Sequence, residues 1–263
     1  MVKLRTTTAV LSLLAWALVS GGVSGAEGAQ QFPLTSADGL LLENVSVQAA
    51  TLHDKKGVRV LMSDDALARV RGMSAAERQR ASETGQFPEQ MAIIDGLEFG
   101  DGIIEVEIAG EPLAGVFEGA RGFVGIAFRV QKDRRTYDAL YLRPANGRAE
   151  EQVRRNRSVQ YVSHPDWTWF RFRQETPGKY ESYVDLVPGE WTRIKIEAQG
   201  TQARLYVHGA KQPTLIVNDL KTGGAARGAI ALWLDIGTVA HFRNLSVRPA
   251  TPGEAPKTET LVR

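Results

Sequence analysis

The stretch Gly102-Ile103-Ile104-Glu105-Val106-Glu107-Ile108-Ala109 decides the fold. Its apolar residues recur at every second place: Ile104, Val106 and Ile108 share one face, and Ile103, Glu105, Glu107 and Ala109 the other. Strand side chains alternate while helix faces repeat every three to four residues, so this pattern predicts a half-buried strand. Downstream, Gly122 to Arg129 repeats it, with Val124, Ile126 and Phe128 opposed to Phe123, Gly125, Ala127 and Arg129. Farther on, Trp191–Ala198 and Gln202–Val207 flank Gln199-Gly200-Thr201 and read as a hairpin, and His208-Gly209 reads as a positive-φ turn. Gly228–Leu234 and Ala240–Val247 read as a closing pair. No helix recurs between these segments, which favours an antiparallel sandwich over a parallel α/β sheet. The fold class expected is all-β, two antiparallel sheets packed face to face.

One segment breaks the rhythm. Asp64 to Thr84 is rich in Ala, Arg, Glu and Gln, and Ser74-Ala75-Ala76-Glu77 has the spacing of a capping box. It predicts a short helical insertion of one or two helices, covering a sheet edge.

The ends bound the compartment. Lys3 and Arg5 precede the apolar run Ala9–Val19, and Ser24-Gly25-Ala26 fits a small-x-small cleavage site. Residues 1–26 therefore read as a signal peptide, 27–248 as one sandwich domain, and the Pro-containing tail 249–263 as disordered. A secreted or periplasmic protein is expected, and no second apolar run predicts a membrane span. Cysteine is absent, which excludes a disulfide framework, thiolate metal ligation and a cysteine nucleophile. The chain carries 32 basic and 30 acidic side chains, a balance that argues against nucleic acid as a partner.

The motifs Phe99-Gly100-Asp101-Gly102, Gly122-Phe123-Val124-Gly125 and Tyr141-Leu142-Arg143-Pro144 occur in order with Gly189-Glu190-Trp191-Thr192 and Gly228-Ala229-Ile230-Ala231-Leu232-Trp233. Together with Ala240-His241-Phe242-Arg243-Asn244-Leu245 they span Gly96 to Val247. This stretch resembles the concanavalin A-like lectin/glucanase superfamily, and more narrowly bacterial secreted 3-keto-disaccharide hydrolase and laminin-G-like domains. The resemblance implies a jelly-roll sandwich, a carbohydrate site on the concave sheet face, and a structural Ca²⁺ for which Asp38-Gly39 or Asp235-Ile236-Gly237 would supply oxygens.

Two groups of residues carry candidate chemistry. Glu105 and Glu107 lie two apart on one strand, about 6–7 Å between backbones, within the range a glycosidase needs for an acid and a nucleophile or base. The stretch from Arg143 to Arg173 holds seven arginines interleaved with aromatic residues and reads as a long loop. Guanidinium groups bind carboxylates and vicinal hydroxyls, while indole rings stack on sugar faces. The expected ligand contacts are therefore Arg129, Tyr141, Arg143, Arg154, Arg155, Asn156, Gln160, Tyr161, His164, Trp167 and Trp169. His164 is also a candidate base. The expected partner is a carbohydrate, an anionic polysaccharide or oligosaccharide among the options. Three alternatives stand beside simple binding: a glycoside hydrolase using the Glu pair, a lyase using Arg171, Arg173, Tyr180 and Tyr183, and a non-catalytic laminin-G-like adhesion domain.

Overall fold

The computed structural model describes residues 28–116 and 120–250. The expected signal peptide and all but the first two residues of the tail expected to be disordered lie outside the described residues. In chain order the elements are β1 (Gln30–Phe32), β2 (Leu40–Glu43), β3 (Val45–Leu52), β4 (Lys55–Met62), α1 (Asp64–Gly72), α2 (Ala75–Thr84) and β5 (Met91–Ile94). There follow β6 (Gly102–Pro112), β7 (Val124–Val130), β8 (Tyr137–Leu142), α3 (Gln152–Arg155), β9 (Val159–His164), α4 (Trp169–Glu175) and β10 (Glu181–Ser182). The last are β11 (Thr192–Gln199), β12 (Gln202–Val207), β13 (Leu215–Val217), β14 (Ala229–Leu234) and β15 (Thr238–Arg248).

These strands form the two antiparallel sheets expected. The back sheet runs β13-β12-β11-β6-β15-β4-β3, with β1 added along β15, and the front sheet runs β10-β9-β8-β7-β14-β5-β2. The alternation that flagged β6 is the cause of the packing: Ile104, Val106 and Ile108 enter the core between the sheets, where Val124, Ile126 and Phe128 of β7 meet them. Burying a chain of such side chains is the main favourable term, at about 1.5–3 kcal/mol each. The hairpin β11–β12 also forms as read, and His208 takes a φ of 56° in the turn that follows it.

Three expectations need correction. Residues 143–173 are not one loop, because β9 is a strand of the front sheet flanked by α3 and α4. The expected closing pair does not pair with itself: β14 lies inside the front sheet, β15 inside the back sheet, and the chain crosses between them at Asp235–Gly237. That crossing is pinned from both sides, by the Asp235 amide donating to the Phe123 carbonyl at 3.1 Å and the Leu113 amide donating to the Gly237 carbonyl at 2.7 Å. Finally, the helical insertion does more than cover an edge. Its first helix packs Ala66 and Val70 on Met62 and Ile236, and its second reaches over the outer face of the front sheet.

Candidate functional site

The outer face of the front sheet is apolar and covered. Met91, Tyr137, Ala139, Tyr141, Val162 and Trp233 belong to a second cluster, separate from the core between the sheets. Strand register arranges this face in rows. Glu181, Gln160, Tyr141, Gly125, Trp233 and Met91 are successive cross-strand neighbours, and Tyr137 faces His164 four positions further along. Between the rows stand Val162, Ala139, Ala127 and Ala231, whose small side chains leave a trough. The flanking rings lean across it: Tyr141 and Trp233 are 4.8 Å apart at their centroids, and the Trp233 indole donates to the Tyr137 hydroxyl at 3.1 Å. Gly125 is required in this row, since a Cβ there would run into the Leu140 carbonyl and the Tyr141 side chain.

The helical insertion and α4 form the roof. The capping box starts α2 as predicted, with the Glu77 amide donating to Ser74 Oγ and the Ser74 amide to Glu77 Oε2. Gly85 ends α2 in the left-handed region, φ 65°, and turns the chain so that Glu89 hangs over the sheet. Two contacts seat α2 on the start of α4: Thr168 Oγ1 donates to the Glu83 carbonyl at 2.9 Å, and the Trp169 indole to Ser82 Oγ at 3.2 Å. Apart from Ala81, α2 buries none of its residues, so little apolar surface holds it down.

Under this roof lies a pocket lined by Ser82, Glu89, Tyr141, His164, Trp169, Trp233 and Asp235. Glu89 is its buried anchor. One carboxylate oxygen accepts from the Tyr137 hydroxyl, the other stands 3.3 Å from His164 Nδ1, and the imidazole stacks on the Tyr137 ring at 5.0 Å. A carboxylate at Nδ1 fixes that nitrogen as the proton carrier, leaving Nε2 as a lone-pair base with no partner among the described residues. Burial, then the charge of Glu89, holds the Tyr137 hydroxyl protonated well above its ordinary range. Burial also pushes the Asp235 carboxyl up, against the lowering pull of a hydrogen bond from the Ile236 amide and of the Arg143 charge. The pocket thus pairs an oriented imidazole with a carboxyl biased toward its protonated form. Its enclosed room is about 50 Å³, space for a water or two.

An arginine network flanks Tyr141. Arg143 donates to the Tyr141 hydroxyl at 2.8 Å, to Gln160 Oε1, and to Glu181 Oε1 at 3.2 Å. Arg173 reaches the same Glu181 oxygen at 2.7 Å, and Arg157 the other at 3.3 Å. Burial lowers the Arg173 pKa, and the neighbouring Arg143 charge lowers it further. Arg143 Nε and Gln160 Nε2 are buried without a partner among the described residues.

The structure gathers Tyr141, Arg143, Gln160, His164 and Trp169 around this pocket and places the other sequence candidates elsewhere. Glu105 and Glu107 do share a face, but it is the outer face of the back sheet. There Arg193 pairs with Glu105 at 2.9 Å, and Lys55 and Arg243 each stand 3.5 Å from Glu107. Arg129 leaves the outer face because a bulge between β7 and β14 puts it at φ 55°, re-aiming its side chain. Its guanidinium is buried and spent on the Gly100, Gly200 and Gly223 carbonyls and on Asp101. Arg154 caps Asn146 and the Ala145 carbonyl, and Arg155 the Ala149 carbonyl, so both staple their own turn. Asn156 accepts from Gln152 at the sheet edge. Tyr161 points into the core between the sheets and donates to Asp138 at 2.6 Å. Trp167 packs on Phe172, with the Arg171 guanidinium 3.7 Å above its ring.

Sequence reasoning missed Glu89, Tyr137 and Trp233, and named Asp235 only as a calcium ligand. For calcium, the side chains offer little: Asp38 accepts from Ser36 at 2.8 Å, and among the described residues no three His, Cys, Asp or Glu side chains gather as a metal site.

Residues 53–248 match the family model described as the 3-keto-alpha-glucoside-1,2-lyase-like domain. No curated protein matches the sequence. Among solved structures, the chain is similar to a galectin-like-fold protein of unknown function from Bacillus subtilis, with 14% identity, a TM-score of 0.46, and 84% of this chain and 96% of that one covered. It is also similar to a carbohydrate binding module from Bacillus subtilis, with 13% identity, a TM-score of 0.43, and 78% and 96% coverage. A third is the beta-glucanase of Bacillus licheniformis, with 12% identity, a TM-score of 0.39, and 86% and 100% coverage.

Proposed function

The chain belongs to the 3-keto-alpha-glucoside-1,2-lyase-like domain family, and we propose that its roofed pocket binds and processes a keto-glycoside by proton abstraction beside the ketone. The observation that carries this reading is the buried Tyr137–Glu89–His164 chain, which aims one imidazole as a base into a pocket shared with a raised carboxyl.

In a 3-keto-glucoside the ketone acidifies the C2–H bond. His164 Nε2 takes that proton, the C2–H electrons form a C1=C2 double bond, and the C1–O bond to the aglycone breaks. The departing oxygen takes its proton from Asp235, giving an enone and a free alcohol. Glu89 stabilises the imidazolium that forms, as a positioned carboxylate does for a catalytic histidine. The arginine network beside Tyr141 suits a substrate rich in hydroxyls or bearing a carboxylate.

A sugar ring needs more room than the closed pocket offers, so α2 withdraws to admit it. That same small volume favours a second reading, a binding site that turns nothing over. The two separate in one experiment: a panel of 3-keto-glucosides in D₂O, followed by NMR for C2–H exchange and aglycone release. Exchange and release in the wild type, reduced at least a hundredfold in His164→Gln, support the lyase reading. Binding without exchange on any member overturns it in favour of the second. Export belongs to the same proposal and rests on the residues before Glu27; a purified mature chain beginning near Glu27 tests it.

A further inference from the structure

At the β9–β10 edge of the front sheet lies a cleft of about 420 Å³, outside the roofed pocket, lined by Val153, Asn156, Arg157, Glu181, Ser182 and Tyr183. Two of these are among the most exposed large apolar side chains of the molecule, Val153 at 50% and Tyr183 at 47%. An uncovered phenol ring beside an amide and a hydroxyl suits the C–H face and hydroxyls of a pyranose. Asn156 accepts from Gln152 at 2.6 Å through Oδ1, which leaves its amide hydrogens for a ligand.

Charge narrows the ligand. Glu181, 6% exposed, is contacted by three guanidinium groups, those of Arg143, Arg157 and Arg173. One carboxylate cannot neutralise three cations, so positive charge is left over at a site of reduced solvation. Arg157 is the most exposed of the three, and its approach to Glu181 is from Nε to Oε2, at 3.3 Å. Arg143 and Arg173 donate hydrogen bonds to Glu181 Oε1, whereas Arg157 makes a longer ion contact with the other oxygen. A guanidinium held this loosely and partly exposed can take a second carboxylate.

We propose that this cleft binds a uronic acid residue, its carboxylate on the terminal nitrogens of Arg157 and its ring face on Tyr183. The site does not depend on the pocket chemistry. Glu181 connects the two, since it holds Arg157 on the cleft side and Arg143, which reaches Tyr141, on the pocket side.

The test is an NMR titration of the full chain with D-glucuronate, D-glucose and acetate at constant ionic strength. Glucuronate should bind at least tenfold more tightly than either of the others and perturb residues 153–157 and 181–183. Arg157→Gln should abolish that preference, and Tyr183→Ala should weaken glucuronate severalfold while leaving acetate unchanged. Both side chains are partly or largely exposed, and matched thermal unfolding of the variants checks the fold. Equal binding of glucuronate and glucose, acetate matching glucuronate, no perturbation by any of the three, or preference retained in Arg157→Gln each overturn the proposal. Glucuronate binding that persists in His164→Gln separates this site from the fate of the lyase reading.

Discussion

Glu89 and His164, 75 residues apart in the chain, meet with Oε1 and Nδ1 3.3 Å apart, one hanging over the sheet and the other standing on it. Glu89 stands just ahead of β5, where Asn44 Nδ2 donates to its carbonyl at 2.8 Å, so the carboxylate that orients the base is held by the sheet and stays in place when α2 withdraws. Glu89→Gln keeps the shape and removes the charge that favours the imidazolium. Turnover of a 3-keto-glucoside should fall by about 10²–10⁴ with ligand binding little changed, as read from kcat and KM separately.

The second helix of the roof should be less protected than the sheet it covers. Its second helix buries only Ala81 and is latched by two side-chain hydrogen bonds to the start of α4. Hydrogen exchange should therefore be faster over 75–84 than in β7 or β8, whose residues are all buried. Trp169→Phe, which deletes one latch, should speed exchange in 75–84 alone. Equal protection of α2 and the sheets would refute the roof as the moving part.

Glu105→Gln and Glu107→Gln should leave catalysis untouched, because both carboxylates face solvent from the back sheet. Their ion pairs are partly exposed, so the stability lost should stay below about 1 kcal/mol each. A collapse of turnover in either variant would return the pair to the catalytic role that their spacing suggests.

Much of the sandwich is legible in the sequence because one face of β6 is wet and the other dry, which prints an alternation of Glu with Ile and Val. β8 is buried on both faces and carries no such print. His164 could be singled out as a rare, chemically able residue beside a proline. Glu89 could not, since it lies in irregular chain between α2 and β5 and acquires its meaning only from Tyr137 and His164. Arg129 misled for a definite reason: alternation places it on the ligand face, but a one-residue bulge cancels alternation locally.

Arg129→Ala should be among the costliest substitutions. It strips donors from three buried or half-buried carbonyls in turns of both sheets, at about 1–3 kcal/mol for each acceptor left unsatisfied. Denaturant unfolding should show a midpoint shift on the order of 3 kcal/mol or more, with the pocket chemistry intact in the folded fraction.

Stability should fall in mild acid through His241. Burial first, then the Arg59 and His53 charges, lower its pKa from 6.5 to about 4. The unfolded chain then binds the proton more tightly than the folded one. The contribution is complete above pH 6.5 and is lost as pH falls toward 4, on the order of 2–3 kcal/mol in all. His241→Gln should flatten the pH dependence of the unfolding free energy across that window, and an unchanged slope would exclude His241 as its source.

The crossing at Asp235–Gly237 has a consequence for how such a site can change over generations. Asp235 is not carried on a loop that can lengthen or drift; its own amide is tied to the residue before β7, and the Gly237 carbonyl to the residue after β6. An insertion there would have to shift the register of a central strand in one sheet or the other, turning its whole apolar row to water. The helix α2, which buries only Ala81, has no such constraint. Diversification is therefore expected to rewrite the roof while the acid keeps its address.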